Sequence, residues 1–330
     1  MHATEQVSTA SGIRHPAVNR TDSAGEERPY ALGLSRLAMR SLYGELQLYP
    51  KPGLVSPVDN GSHDDMTAST FVRSLFSLRH YFTDISLAGM RAAPFSELKQ
   101  LGIRAEQRML RATGGINTHR GAIFALGMLA AATAYCWARQ SILDPASIRA
   151  ALQQQWGGAL ALHTGVPLGQ SHGALAAARY AAGGAREEAA MGFPSVFDIA
   201  LPRLRTALDA GRSWEEAQID ALFALIAHIS DTNLYHRGGA EGAALARQIA
   251  QAFLDAGASA NPEWRQRAIQ AHQLFVRHRL SPGGAADLLA AACLLHHCTD
   301  SQGQAGQHGV KSPQSPQNSQ KPQPGPACRA

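Results

Sequence analysis

Residues 121–138 read GAIFALGMLAAATAYCWA, eighteen consecutive positions without a charge. The stretch reaches the lower edge of the length that crosses a bilayer. It is Ala-rich, carries Thr133 inside, has no counterpart elsewhere in the chain and gives way at once to amphipathic sequence. It is therefore expected to be a buried helix, with no membrane involved. On either side of it, apolar residues recur at i, i+3 and i+4 in segments at roughly 31–48, 64–82, 95–112, 119–138, 145–163, 171–182, 195–210, 214–230, 239–256, 262–278 and 283–298. No segment alternates as a strand would. Apolar residues make up 45% of the chain and aromatics only 6%, and the Ala and Leu that fill the difference favour helix over sheet. The expected class is all-α, a single compact domain of about ten to twelve helices, because connections are short and no fixed-period repeat is present.

That domain is expected at residues 30–298. The preceding arm, 1–29, is polar and lacks apolar periodicity, and the tail, 299–330, is rich in Gln, Pro and Ser. Neither has enough apolar surface to offset its chain entropy, so both are expected to be disordered. The net charge is +5. The last thirty residues contribute three basic side chains and no acid, and the arm three basic and four acidic, which leaves the body near +3. That balance, with no basic run interleaved with aromatics, argues against nucleic acid as a partner. Cys136, Cys293, Cys298 and Cys328 form no C-x-x-C pair and read as reduced residues. No charged and apolar leader opens the chain, so a cytoplasmic address is expected.

Polar punctuation falls at helix ends. In Tyr49-Pro50-Lys51-Pro52-Gly53 two prolines stiffen the segment that carries Lys51. Glu45, on the same helical face as Leu34, Ala38 and Leu42, is either a surface glutamate or a partly buried one that needs a cation or metal. Asn60-Gly61-Ser62-His63-Asp64-Asp65 is a turn in which Ser62 and Asp65 fit a capping box, a structural role that competes with chemistry at Asp65 and leaves Asn60 and His63 unexplained. In Gly114-Gly115-Ile116-Asn117-Thr118-His119-Arg120, Asn117 or Thr118 caps the apolar helix. His119 and Arg120 then fall in its first turn, where cations oppose the dipole unless an anion binds there. Asp231, in Ser230-Asp231-Thr232-Asn233, is read at the C-terminal end of a helix, where it wants Arg237 or a Mg²⁺ ion as partner. Ser281-Pro282-Gly283-Gly284-Ala285 opens the last helix with two glycines whose backbone N–H groups suit a phosphate. Arg186-Glu187-Glu188 follows a Gly-Gly turn, and the two acids read as an ordinary first-turn pair.

Taken together, PKPGLV, N-x-x-H-x-D-M, NTHRG, REE, GFP, DTN-x-x-x-RGG and SPGGAADLL resemble, in order and spacing across residues 31–290, the triphosphoribosyl-dephospho-CoA synthase family. The long form Pro50-Lys51-Pro52-Gly53-Leu54-Val55-Ser56-Pro57-Val58-Asp59-Asn60-Gly61-Ser62-His63 is similar to the malonate decarboxylase branch more than to the citrate lyase branch. The resemblance implies attack of the 2′-hydroxyl of 3′-dephospho-CoA on the anomeric carbon of ATP, with adenine expelled and the triphosphate kept. It also implies delivery of the product to a separate carrier-protein transferase. On that reading Glu45, His63, Asp65, His119 and Asp231 are the catalytic candidates. Lys51, Asn60, Asn117, Arg120, Arg186, Asn233, Arg237, Ser281, Gly283 and Gly284 are candidates for holding the nucleotides, and Asp231, Glu187 and Asp287 for Mg²⁺ accompanying ATP. Two other readings stand beside it. A helical metal-dependent phosphohydrolase is suggested by His63-Asp64, but it needs a further histidine ligand from an earlier helix, and only His2 and His15 precede, both in the arm. A non-catalytic nucleotide-binding or carrier-protein-binding module predicts binding without adenine release.

Overall fold

The computed structural model describes residues 24–164 and 184–307. Among these there are twelve α-helices and no strand. They are α1 (Ala24–Gln47), α2 (Ala68–Ser77), α3 (Arg79–Met90), α4 (Phe95–Thr113), α5 (Arg120–Ala138), α6 (Pro145–Thr164), α7 (Ala185–Ala190), α8 (Leu201–Asp209), α9 (Trp214–His228), α10 (Thr232–Asp255), α11 (Trp264–Arg277) and α12 (Gly283–Gln307). The all-α, single-domain expectation is met.

The uncharged helix α5 is the axis. α1, α3, α4, α6 and α12 pack around it, and its Leu126, Leu129 and Ala130 to Ala132 are fully enclosed. It is the only helix among the described residues long and apolar enough to cross a membrane, and most of it is buried inside the bundle. Its apolar surface is thus used by neighbouring helices, and truncating Leu126 or Leu129 to Ala is worth about 2–5 kcal/mol. Two polar contacts fix the packing: the Tyr81 hydroxyl donates to the Ile123 carbonyl at 2.9 Å and the Trp156 indole to the Ala93 carbonyl at 2.8 Å. α9 carries apolar residues all round and is buried between α8, α10 and α12, with Phe223 stacked on Phe253 of α10 at 3.9 Å between centroids.

Several expected boundaries move. The first helix begins at Ala24 rather than 31, within the expected arm, and the last runs to Gln307 rather than 298; the remainder of arm and tail, with Cys328, lies outside the described residues. The segment expected at 64–82 is two helices meeting at Leu78. Ser62 and Asp65 do not cap α2. Thr67 does, in a capping box with Thr70, while the Ser62 hydroxyl donates to the carbonyls of Leu280 at 2.6 Å and Phe275 at 3.2 Å. The segment at 195–210 opens as a π-helical turn, Ser195–Ala200. The segment expected from 239 instead starts at Thr232 and breaks at Gly239, whose φ is 64°. The helix expected at 171–182 lies outside the described residues. Cys136, Cys293 and Cys298 are buried free thiols.

Candidate active site

The loop between α1 and α2 crosses the ends of α10 and α12. Its Lys51 is 1% exposed, and its ammonium donates to the Glu45 carboxylate at 2.6 Å and to the Glu45 carbonyl at 2.7 Å. Of the two readings of Glu45, the buried one that needs a cation is the one the fold adopts, and the lysine expected to be presented by a stiff loop is its buried partner. Burial lowers the Lys51 pKa against the pull of Glu45. His272 of α11 holds the loop from below, donating from Nδ1 to the Lys51 carbonyl at 2.8 Å and facing Asp59 through Nε2 at 3.1 Å. Removing one partner of such a buried pair costs about 3–5 kcal/mol, because the other charge is left without compensation.

His63 is bracketed. The Arg237 guanidinium donates to its Nδ1 at 2.8 Å, and its Nε2 lies 2.8 Å from the Ser281 hydroxyl. A guanidinium only donates, so Nδ1 is the acceptor and the proton sits on Nε2, aimed at Ser281. Burial and the neighbouring Arg237 hold the His63 pKa down to about 4, so the ring is neutral near pH 7. Both nitrogens are occupied. His63 therefore positions Ser281 and Arg237, and no lone pair remains for a metal, which removes the basis of the phosphohydrolase reading. Arg237 also donates to the Ser62 carbonyl at 2.9 Å, so its partners are Ser62 and His63 and not, as one reading had it, Asp231.

Asp231 is the N-cap of α10, not the end of α9. Ile229 at the C-terminus of α9 is extended, the chain turns, and the carboxylate meets the favourable end of the next dipole. One oxygen accepts from the Asn233 backbone at 2.8 Å and its side-chain amide at 3.2 Å; the other accepts from the Ala285 N–H at 3.0 Å in the first turn of α12. A Cβ on Gly284 would lie 3.0 Å from that carboxylate, and one on Gly283 3.0 Å from the Asn233 amide. The double glycine thus admits Asp231 and Asn233, and the N–H group expected to be open to phosphate at Ala285 is taken by an internal anion. Asp231 is 3% exposed, and desolvation raises its pKa in spite of these donors.

A second carboxylate occupies the other predicted anion site. Asp287, one turn into α12, reaches the first turn of α5 and accepts from the Ala122 N–H. A Cβ on Gly121 would fall 2.1 Å from its Oδ2. Asp287 is half-buried and lines the cavity described below. Desolvation, then the charges of Glu45 and Asp231, raise its pKa well above the usual carboxylate range. Three acids thus share a buried region with one lysine.

At the α5 end, His119 is the N-cap residue and Arg120 the first helical one. The Asn117 side chain accepts from the Arg120 N–H at 3.1 Å, so Asn117 does satisfy an open donor of this terminus. Arg120 pairs with Glu106 of α4 at 2.5 Å. His119 is 3% exposed, with Nδ1 2.6 Å from the Ser74 hydroxyl of α2 and no partner for Nε2. Burial, then Lys51, bring its pKa down to about 3. Both His119 and Lys51 were singled out from sequence, and the fold brings them together.

Glu45, Lys51, His63, Asn117, His119, Arg120, Arg237, Ser281 and Asp287 line one cavity of about 1320 Å³, along with Asp65, Arg186, Glu187, Asn233, Gly283 and Gly284, whereas Asn60 and Asp231 do not. Asn60 is exposed, and its carbonyl closes the turn to the His63 N–H at 3.2 Å. Asp65 stands at the mouth, mostly exposed and 3.7 Å from His63. Glu187 caps its own helix, accepting from the Gly184 N–H at 2.9 Å, and Glu188 binds Ser195 at 2.5 Å, which fits the first-turn reading of the pair. The cavity exceeds the range of roughly 300–1,000 Å³ that holds one small ligand. It has a polar end at Lys51, His63, Arg237 and Asp287, and an arm whose apolar lining comes from α3, α4 and α5.

Comparison with known families finds a match over residues 31–305 to the ATP:dephospho-CoA triphosphoribosyl transferase family. The chain belongs to this family. A relative from Acinetobacter calcoaceticus named "Probable 2-(5''-triphosphoribosyl)-3'-dephosphocoenzyme-A synthase" is 41% identical over 81% of this chain and 91% of its own length. A Pectobacterium atrosepticum relative named as the same synthase is 37% identical over 87% of this chain and 96% of its own. One of the same name from Pseudomonas fluorescens Pf-5 is 40% identical over 79% and 90%. No solved structure matches. The family match spans every element that lines the cavity.

Sequence reading missed Ser74, Lys99, Glu106 and the apolar arm. Lys99, Gly102, Ile103 and Glu106 of α4 all face the cavity, and their spacing of three, one and three residues was legible as a face. That two charges share it with a glycine was the available signal. Among the described residues, no three His, Cys, Asp or Glu side chains gather as a metal-binding group. Of the three carboxylates expected at a metal, all accept from backbone donors, and Glu187 and Asp287 line the cavity while Asp231 does not.

Proposed function

We propose that the chain transfers the 5-triphosphoribosyl group of ATP to the 2′-hydroxyl of 3′-dephospho-CoA and releases adenine. The observation that carries this reading is the cavity itself, which is larger than the usual pocket for one small ligand and has buried acids beside cations at one end and an apolar arm at the other. The bond from the anomeric carbon to adenine breaks with its electron pair leaving on the base. The acceptor oxygen bonds that carbon, and the hydroxyl proton ends on adenine. A carboxylate near the anomeric carbon stabilises the oxocarbenium-like transition state, and Glu45, aligned by Lys51, is the group for it. Arg120, Arg186, Arg237 and Lys99 border the cavity where a triphosphate needs cations. Ser281, accepting from His63, keeps its own hydroxyl hydrogen for a phosphate oxygen.

Mg²⁺ fits the donor set. One cavity-facing carboxylate with phosphate oxygens and water is its ordinary environment, and Asp287, crowded by Glu45 and Asp231, gains from a neighbouring cation. The ion would neutralise triphosphate charge. The malonate decarboxylase carrier protein is the destination supported by the long form of the 50–63 motif, through a separate carrier-protein transferase, in the cytoplasm where ATP is supplied. Incubation with ATP, Mg²⁺ and 3′-dephospho-CoA is expected to release one adenine per dephospho-CoA consumed. Release of ADP or AMP in place of adenine overturns the glycosyl-transfer reading.

A further inference from the structure

One part of the cavity carries an apolar slot beside His119. Val55 and Met66 belong to a small cluster separate from the main core, with Phe71 and Ile116 packed on it, and all four line the cavity beside His119. Phe71 meets the imidazole edge-on, at 5.1 Å between centroids.

The tautomer of that imidazole is set from behind. The Thr118 hydroxyl donates to Ser74 Oγ at 2.7 Å, and Ser74 Oγ lies 2.6 Å from His119 Nδ1. Ser74 is fully buried and has one hydroxyl hydrogen, so with Thr118 donating to it, that hydrogen is satisfied only by Nδ1. The proton of the neutral ring then resides on Nε2, which is buried and has no acceptor in the protein. A buried donor without an acceptor is destabilising, and His119 lines the cavity, so a ligand acceptor that reaches Nε2 would relieve it.

We propose that the purine of the nucleotide donor seats in the Val55–Met66–Phe71–Ile116 slot, with His119 Nε2–H donating to an acceptor ring nitrogen, and that Ser74 is the positioning residue that fixes this tautomer. The proposal rests on the glycosyl-transfer reading and names its leaving-group subsite. An apolar slot receives the faces of a flat base, and one fixed donor selects a ring nitrogen. As the bond to the anomeric carbon breaks, the electron pair enters the purine ring, and a hydrogen bond to N3 or N7 strengthens as charge develops there. With its pKa near 3 the imidazole stays neutral, so it donates a hydrogen bond and does not transfer a proton.

The test uses the full chain and three nucleotides: ATP, 3-deaza-ATP and 7-deaza-ATP, with binding measured separately from adenine release. One deaza analogue is expected to bind the wild-type protein about tenfold more weakly than ATP, with the penalty absent in His119→Phe. Equal binding of all three by the wild type, or an undiminished penalty in His119→Phe, overturns the proposal. In Ser74→Ala, turnover is expected to fall about tenfold, and long-range ¹H–¹⁵N spectra should change from a single Nε2–H tautomer at His119 to a mixture. Ser74→Thr should restore both. A wild-type spectrum with the proton on Nδ1 also overturns it. Adenine release with no deaza penalty sinks this subsite alone, whereas ATP binding with ADP or AMP as product sinks the parent reading.

Discussion

Two of the helix N-termini that border the cavity, those of α5 and α12, carry the same chemistry to different ends. At α12, Asp231 is fully buried and engaged by donors from α10 and α12. At α5, Asp287 has a backbone donor at Ala122 but faces open space, and nearby acids resist its charge. Both contacts pass over a glycine, so both carboxylates approach the backbone more closely than a side chain there would allow. The first clamps two helices. The second is held in a state that a cation or a proton stabilises. Burial and hydrogen-bond count, not residue type, separate the enclosed carboxylate from the one that faces the cavity.

That contrast is broken most sharply at Asp287. Asp287→Asn is expected to reduce adenine release by about 10²–10⁴-fold while leaving the thermal midpoint unchanged or higher, because a crowded charge is removed. A fully active variant would place Asp287 outside the chemistry. Asp231→Ala should do the reverse in stability, losing about 3–5 kcal/mol in urea titration as its donors in α10 and α12 are left unmatched. Full stability in that variant would deny the clamp. Acid titration gives the smaller effect. His63 and His119 have folded pKa values of about 4 and about 3, below the unfolded value near 6.5. Their contribution is therefore present above pH 6.5 and lost as pH falls through the window to 4. Each is worth at most about 1.4 kcal/mol per pH unit there. Asp287 has the opposite sign: its raised folded pKa adds stability as pH falls toward the unfolded value. Asp287→Asn should consequently lose stability more steeply between pH 6.5 and 4 than the wild type, and parallel curves would contradict the assigned shift.

The helix count, the central place of α5 and the cluster of polar junctions were legible because each depends on local pattern: apolar spacing at helical period, and Gly, Pro and polar residues where helices stop. Glu45 was legible only as one of two cases, a surface glutamate or a buried one wanting a cation, since its helical face is apolar. Its partner was not, although Lys51 is only six positions away, because pairing required the loop to fold back under the helix. The capping-box reading of Ser62 failed for a similar reason. Its hydroxyl goes to carbonyls more than two hundred residues distant, and no local motif encodes that competition. Asp231 was placed on the wrong helix because the apolar run of α9 continues through Ile229 while the backbone has already become extended.

The sequence by itself determined an all-helical chain, the family to which it belongs and a short roster of residues at helix ends. Those follow from period, composition and ordered motifs, all properties of neighbours along the chain. Only the tertiary structure decided which charges neutralise one another, which helix termini are already filled by Asp231 and Asp287, and which ring nitrogen, His119 Nε2, is left buried without a partner. Burial and distance between remote segments set the strength of every one of those interactions, and neither is written in local order.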